Sequence, residues 1–186
     1  MLLAKFGARL DALDARFAAE FEALAAGASG GGAPFVAANP LYRGIDQALA
    51  PLLAPEAPSA LYVVTDAPAA LAADALGAAG VAVGAGQVLR AQSGEAREGG
   101  ETPGGMLARV RAAMQAHPGR RVHVIDDSPE VLRRVSSDLA LAGAVHCWFA
   151  EWGYSTPAQR AAVAFWPRVK LLDIFALRRL LAGRAP

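Results

Sequence analysis

From residue 60 onward, short apolar runs alternate with longer segments of helical period, and that alternation constrains the chain more than any other feature. The runs are "ALYVV", "RVHVIDD", "AVHCWFA" and "RVKLLDI", and one or two further short strands are expected in "VAVGAGQVLRA". Between them stand "AALAADALGAAG", "MLARVRAAMQAH", "PEVLRRVSSDLALAG" and "STPAQRAAVAF", and "FALRRLLAG" follows the last. Strands alternating with helices build βαβ crossovers and hence a parallel sheet. The strands are nearly continuous apolar runs, as when helices cover both faces. The expected fold class is α/β, a three-layer Rossmann-like parallel sheet.

Ahead of this core, Leu3, Phe6, Leu10, Leu13, Phe17, Phe21 and Leu24 recur at three- and four-residue steps. That spacing predicts an amphipathic helix over residues 2–25. "GASGGGAP" breaks it, with Pro34 against any continuation. Two parts are expected: an N-terminal helix with a glycine-rich linker over 1–33, and an α/β core over 34–186. "NPLYRGIDQALAPLL" opens the core with a further helix.

A formal net charge of +1 over 186 residues leaves no strong field for nucleic acid or anionic membranes. No apolar run approaches the roughly 18–20 residues a membrane span needs. Cys147 is the sole cysteine, so no intrachain disulfide forms and a reducing compartment is the default. Asp11, Asp14, Glu20 and Glu22 argue against both a transit peptide and a secretory signal. The expectation is an intracellular domain with no nucleic-acid or membrane partner.

Chemistry in an open parallel sheet belongs at the carboxyl ends of the strands. Two ends are polar: Thr65-Asp66 after "LYVV", and Asp126-Asp127 after "VHVI". A hydroxyl and backbone N–H groups at a helix start suit phosphate. Paired carboxylates suit Mg²⁺, which takes hard oxygen ligands and offsets their mutual repulsion. The competing reading of Thr65 is a simple helix cap. One acid would suffice as a cap, so the doubled Asp126-Asp127 favours a metal role.

Other motifs fail on inspection. "GASGGGAP" has Ala33-Pro34 where a P-loop needs Lys-Ser/Thr, and "GAGQVL" has Leu89 where a dinucleotide fingerprint needs its third glycine. A phospho-receiver domain places its acids before its hydroxyl, the reverse of the order here. His117, His123 and His146 lack metal-ligand spacing. His146 and Cys147 are adjacent in a strand, so they face opposite sides and form no nucleophile–base pair.

With these residues in place, the chain resembles the haloacid-dehalogenase-like (HAD-like) superfamily of phosphohydrolases. "LYVVTD" looks like its phosphate-binding second motif, and "VHVIDDSPEVL" like its Mg²⁺-holding fourth motif. "NPLYRGIDQAL", "LYVVTD" and "EWGYST" with Arg160 resemble, in that order, blocks of a HAD-like subfamily of plants, algae and cyanobacteria. The likeness covers roughly residues 38–175 and makes the N-terminal helix the tail of a helical cap. It implies Thr65 and Asp66 as phosphate contacts, Asp127 as Mg²⁺ ligand with Asp126 in support, and a small phosphorylated metabolite as ligand. It also implies a cytoplasmic or chloroplast location.

The departures matter equally. The superfamily's nucleophile is the first aspartate of a DxD following the first strand. No apolar strand followed by DxD occurs in this sequence, and Gly104 of "ETPGGML" stands where the subfamily has the lysine of its third motif. Arg97 and Arg109 are nearby cations, while Lys170 belongs to the last strand. The expectation is a HAD-like phosphatase-type domain with little or no hydrolysis. Alternatives are a non-catalytic phosphate/Mg²⁺-binding or protein-interaction domain, or a fragment of a longer hydrolase. Losing the first strand removes the neighbour between the second- and fourth-motif strands. Those two would then pair directly, be bridged by another segment, or belong to an incomplete piece of a longer protein; the last is the favoured expectation.

Overall fold

The computed structural model describes residues 40–54, 56–57, 59–65, 67, 69–84, 86–90 and 105–184. The helix expected over 2–25, the glycine-rich linker, Asp66, Pro68, Arg97 and Gly104 all lie outside the described residues. Helix α1 (Ile45–Leu49) begins after Gly44, whose φ of 89° suits only glycine, and runs into a short 3₁₀ turn, Ala50–Leu52. Strand β1 (Val63–Thr65) lies further along than the expected 60–64, so Thr65 is its last residue rather than part of the turn. Helix α2 (Ala69–Ala78) ends near Gly80, at φ 79°, and "VAVGAGQVLRA" yields one strand, β2 (Val88–Arg90).

Then come α3 (Met106–Ala116), β3 (Val122–Asp126), α4 (Pro129–Ser137), β4 (Val145–Ala150), α5 (Pro157–Val163), β5 (Val169–Leu172) and α6 (Ile174–Leu181). Helix α4 is shorter than its apolar pattern suggests. Asp138 leaves the helical conformation, accepts the Ala140 N–H at 2.8 Å and pairs with Arg111 at 2.7 Å. A 3₁₀ turn, Leu139–Leu141, replaces the last stretch.

All strand pairs are parallel, in one sheet of two strands, β1-β2, and one of three, β3-β4-β5. Among the described residues β1 pairs with β2 alone and β3 with β4 alone. The direct pairing of the "LYVV" and "VHVI" strands, one of three expected outcomes, is therefore absent from the described residues.

Register explains the core of the larger sheet. Val124 lies beside Cys147 and Cys147 beside Val169, so these side chains share one face. That face packs Phe149 and Val169 with Val110 of α3, Leu132 and Val135 of α4 and Val163 of α5. The opposite face carries Trp148 and Leu172, covered by Leu177 of α6 and Ala48 of α1. Helices thus cover both faces of the three-stranded sheet, which places its polar groups at the strand ends. The β1-β2 pair has a smaller cluster of Leu76, Val81 and Val88, lined partly by alanines of α2. Among the described residues no helix is long and apolar enough to cross a membrane.

Candidate functional site

At the carboxyl end of β3 the two aspartates diverge. Asp126 Oδ1 accepts the backbone N–H of Ser128 at 2.7 Å, and the Ser128 hydroxyl caps α4 by accepting the Val131 N–H at 3.3 Å. Pro129 follows in the first turn, where its missing N–H costs nothing. Asp127 turns instead to the segment after β4 and accepts the Tyr154 N–H on Oδ2 at 2.6 Å. Backbone donors satisfy a carboxylate well and lower the cost of placing two acids together. Each acid therefore has a distinct structural task, and the doubled aspartate is accounted for before any metal is invoked.

The "EWGYST" stretch is shaped around this contact. A Cβ on residue 153 would overlap the Asp127 side chain, so only glycine allows the approach. The Glu151 N–H donates to Leu172 C=O at 3.0 Å, and Arg160 Nη1 donates to the Ser155 carbonyl at 2.9 Å and hydroxyl at 3.0 Å. Thr156 caps α5, in a reciprocal box with Gln159. With its backbone held, the Tyr154 side chain is 93% exposed and meets Tyr42 edge-on, ring centroids 6.2 Å apart. Partial burial, Tyr154 and the nearby Asp127 charge all push the Tyr42 phenol above its ordinary value.

The residues expected from sequence are only partly brought together. "NPLYRG", "VHVIDD" and "EWGYST" converge through Tyr42, Asp127 and Tyr154. Thr65 closes β1, and its Oγ1 accepts the Ala67 N–H at 3.0 Å, a local turn bond made ahead of α2. Gly153 and the tyrosine pair escaped sequence reasoning. Their signal was the WGY and LYRG of two quoted stretches, but only the tertiary contact gives those letters a role.

For Mg²⁺, the donor set is thin. Among the described residues no three His, Cys, Asp or Glu side chains form a group that could hold a metal ion. Asp127 spends Oδ2 on the Tyr154 N–H, so Oδ1 is the oxygen through which it would hold an ion. That fits the way Mg²⁺ is usually held, by one or two carboxylates with waters and substrate phosphate completing the shell.

A second polar cluster sits near the amino-terminal end of the same sheet. His123 stacks on its register neighbour His146, centroids 5.3 Å apart, and its Nδ1 accepts the Trp148 indole N–H at 3.0 Å. Burial, then His146 and Arg121, depress the His123 pKa. Lys170 lies over Trp148 at 5.6 Å. Trp148 is core, and Trp152 and Trp166 pack against the two core clusters. Scans of protein families, of curated proteins and of solved structures return no match to this chain.

Proposed function

We propose that the chain is a HAD-like domain of Rossmann-like layout that binds a small phosphorylated ligand with Mg²⁺ at the end of β3 and does not hydrolyse it. The observation that carries this reading is the convergence of three motif-like stretches around Asp127, which accepts the Tyr154 N–H on Oδ2 while Tyr154 meets Tyr42. Mg²⁺ would be held by Asp127, with Asp126 fixing the turn behind it. The ion would supply charge neutralisation for the phosphate. Hydrolysis needs a nucleophile that the sequence does not contain: no DxD follows an apolar strand.

Calorimetric titration of inorganic phosphate into the chain with Mg²⁺, beside an assay with p-nitrophenyl phosphate, tests both halves. Phosphate should bind only with Mg²⁺, Asp127→Asn should weaken binding at least about tenfold, and no turnover should appear. Turnover abolished by Asp127→Asn would refute the non-hydrolytic half; no phosphate binding would refute the binding half.

A second reading, a portion of a complete hydrolase, is favoured by β1 and β3 each having a single paired neighbour among the described residues. Coding sequence upstream of Met1 that specifies an apolar strand ending in Asp-x-Asp would establish it.

A further inference from the structure

We propose that Tyr42 and Tyr154 form an aromatic landing beside Asp127 for the planar ring of the ligand, so that the site prefers ring-bearing phosphate esters to alkyl ones. This rests on Asp127 marking the phosphate end of the site.

Exposed apolar side chains alone mean little, and Leu139, Phe165 and Phe175 are exposed here without evident purpose. Tyr154 differs in three ways. Its backbone is fixed by the Asp127 carboxylate and by the bonds of Ser155 and Arg160, so presenting the ring costs little conformational freedom. Its backbone N–H is the donor that the candidate ligand-binding carboxylate accepts, which anchors the residue on Asp127. It is also paired edge-on with Tyr42, which lines an open cavity of about 410 Å³.

That cavity lies between the Pro40–Gln47 stretch and the end of α2, with Arg43 and Asp46 on one wall and Ala75 and Ala78 on the other. Its volume falls in the range of small-molecule pockets, about 300–1,000 Å³. Tyr42, not Tyr154 or Asp127, belongs to its lining, and with the methyl-sized alanine wall it suits a flat ring that reaches over from Tyr154, while Arg43 and Asp46 offer a donor and an acceptor to heteroatoms on it. Tyrosine is well suited to the task, because it offers a large rigid face and loses few rotors on binding.

The test compares phenyl phosphate, methyl phosphate and inorganic phosphate, each titrated with Mg²⁺ into the full chain and into Tyr154→Leu and Tyr154→Phe. Phenyl phosphate should bind the wild type about five- to tenfold more tightly than methyl phosphate. Tyr154→Leu should erase that preference, Tyr154→Phe should keep it, and inorganic phosphate should bind all three alike. Because the side chain is exposed, both variants should melt with the wild type. Equal affinities for phenyl and methyl phosphate, or a preference that survives Tyr154→Leu, would overturn the proposal. Phenyl phosphate binding that depends on Tyr154, without any binding of inorganic phosphate, would support the aromatic landing and overturn only the phosphate–metal reading.

Discussion

The two sheets of this molecule are built to different standards. The β3-β4-β5 sheet packs large side chains on both faces, with Phe149, Leu132 and Leu172 fully buried. Its strand ends are tied by long-range bonds, Asp127 to Tyr154 and Glu151 to Leu172. The β1-β2 sheet has three residues per strand, a described core of Leu76, Val81 and Val88 packed by partly buried leucines, valines and alanines, and a strand end held by Thr65's local bond to Ala67. The larger sheet can therefore hold a fixed constellation, while the smaller belongs to the low-stability end of the molecule. The half with the better scaffold is the half that carries Asp127.

The largest test of that contrast is a matched pair of truncations. Phe149→Ala should lower global stability by about 3–5 kcal/mol, while Leu76→Ala should cost nearer about 2 kcal/mol. In denaturant melts with hydrogen exchange, the first should raise exchange across β3, β4 and β5, and the second only in β1 and β2. Equal, global effects of both would dissolve the distinction. Next in size is Gly153→Ala, which drives a methyl group into Asp127 and should cost about 1–3 kcal/mol. Amide exchange at Tyr154 should accelerate in that variant, and an unchanged melt would mean that the loop is not held by the close approach.

The smallest effect concerns pH. His123 is held below the ordinary value of 6.5 by burial first, then by the neighbouring His146 and Arg121. The unfolded chain then takes up the proton at a higher pH than the folded one. The stability contributed by neutral His123 is complete above pH 6.5 and is lost as pH falls through that value toward the depressed folded one. Protonation also removes the acceptor for the Trp148 indole. A fluorescence titration should show a transition below pH 6.5 that His123→Gln abolishes, and an identical profile in the variant would exclude His123 as its source.

Much of the larger sheet was legible because its signals are local. "RVHVIDD", "AVHCWFA" and "RVKLLDI" became Val122–Asp126, Val145–Ala150 and Val169–Leu172, as their unbroken apolar runs imply. Where one side chain arbitrates, pattern misleads. The periodicity of "PEVLRRVSSDLALAG" reads through Asp138, yet that carboxylate finds Ala140 and Arg111 and ends the helix. The candidate site was legible in position and opaque in contact. Asp126 and Asp127 stood at a strand end as expected, but nothing in their neighbourhood announced that Tyr154 would supply a backbone donor or that Gly153 must lack a Cβ to allow it.

Cys147, on the face of β4 that meets α4, gives the larger sheet its own clock. It is the single thiol of the sequence, 4% exposed, and burial pushes its pKa up although Arg168 pulls the other way. Only a solvated thiolate reacts readily with an alkylating reagent. Modification must therefore wait until β4 opens, and its rate counts those openings without any introduced label.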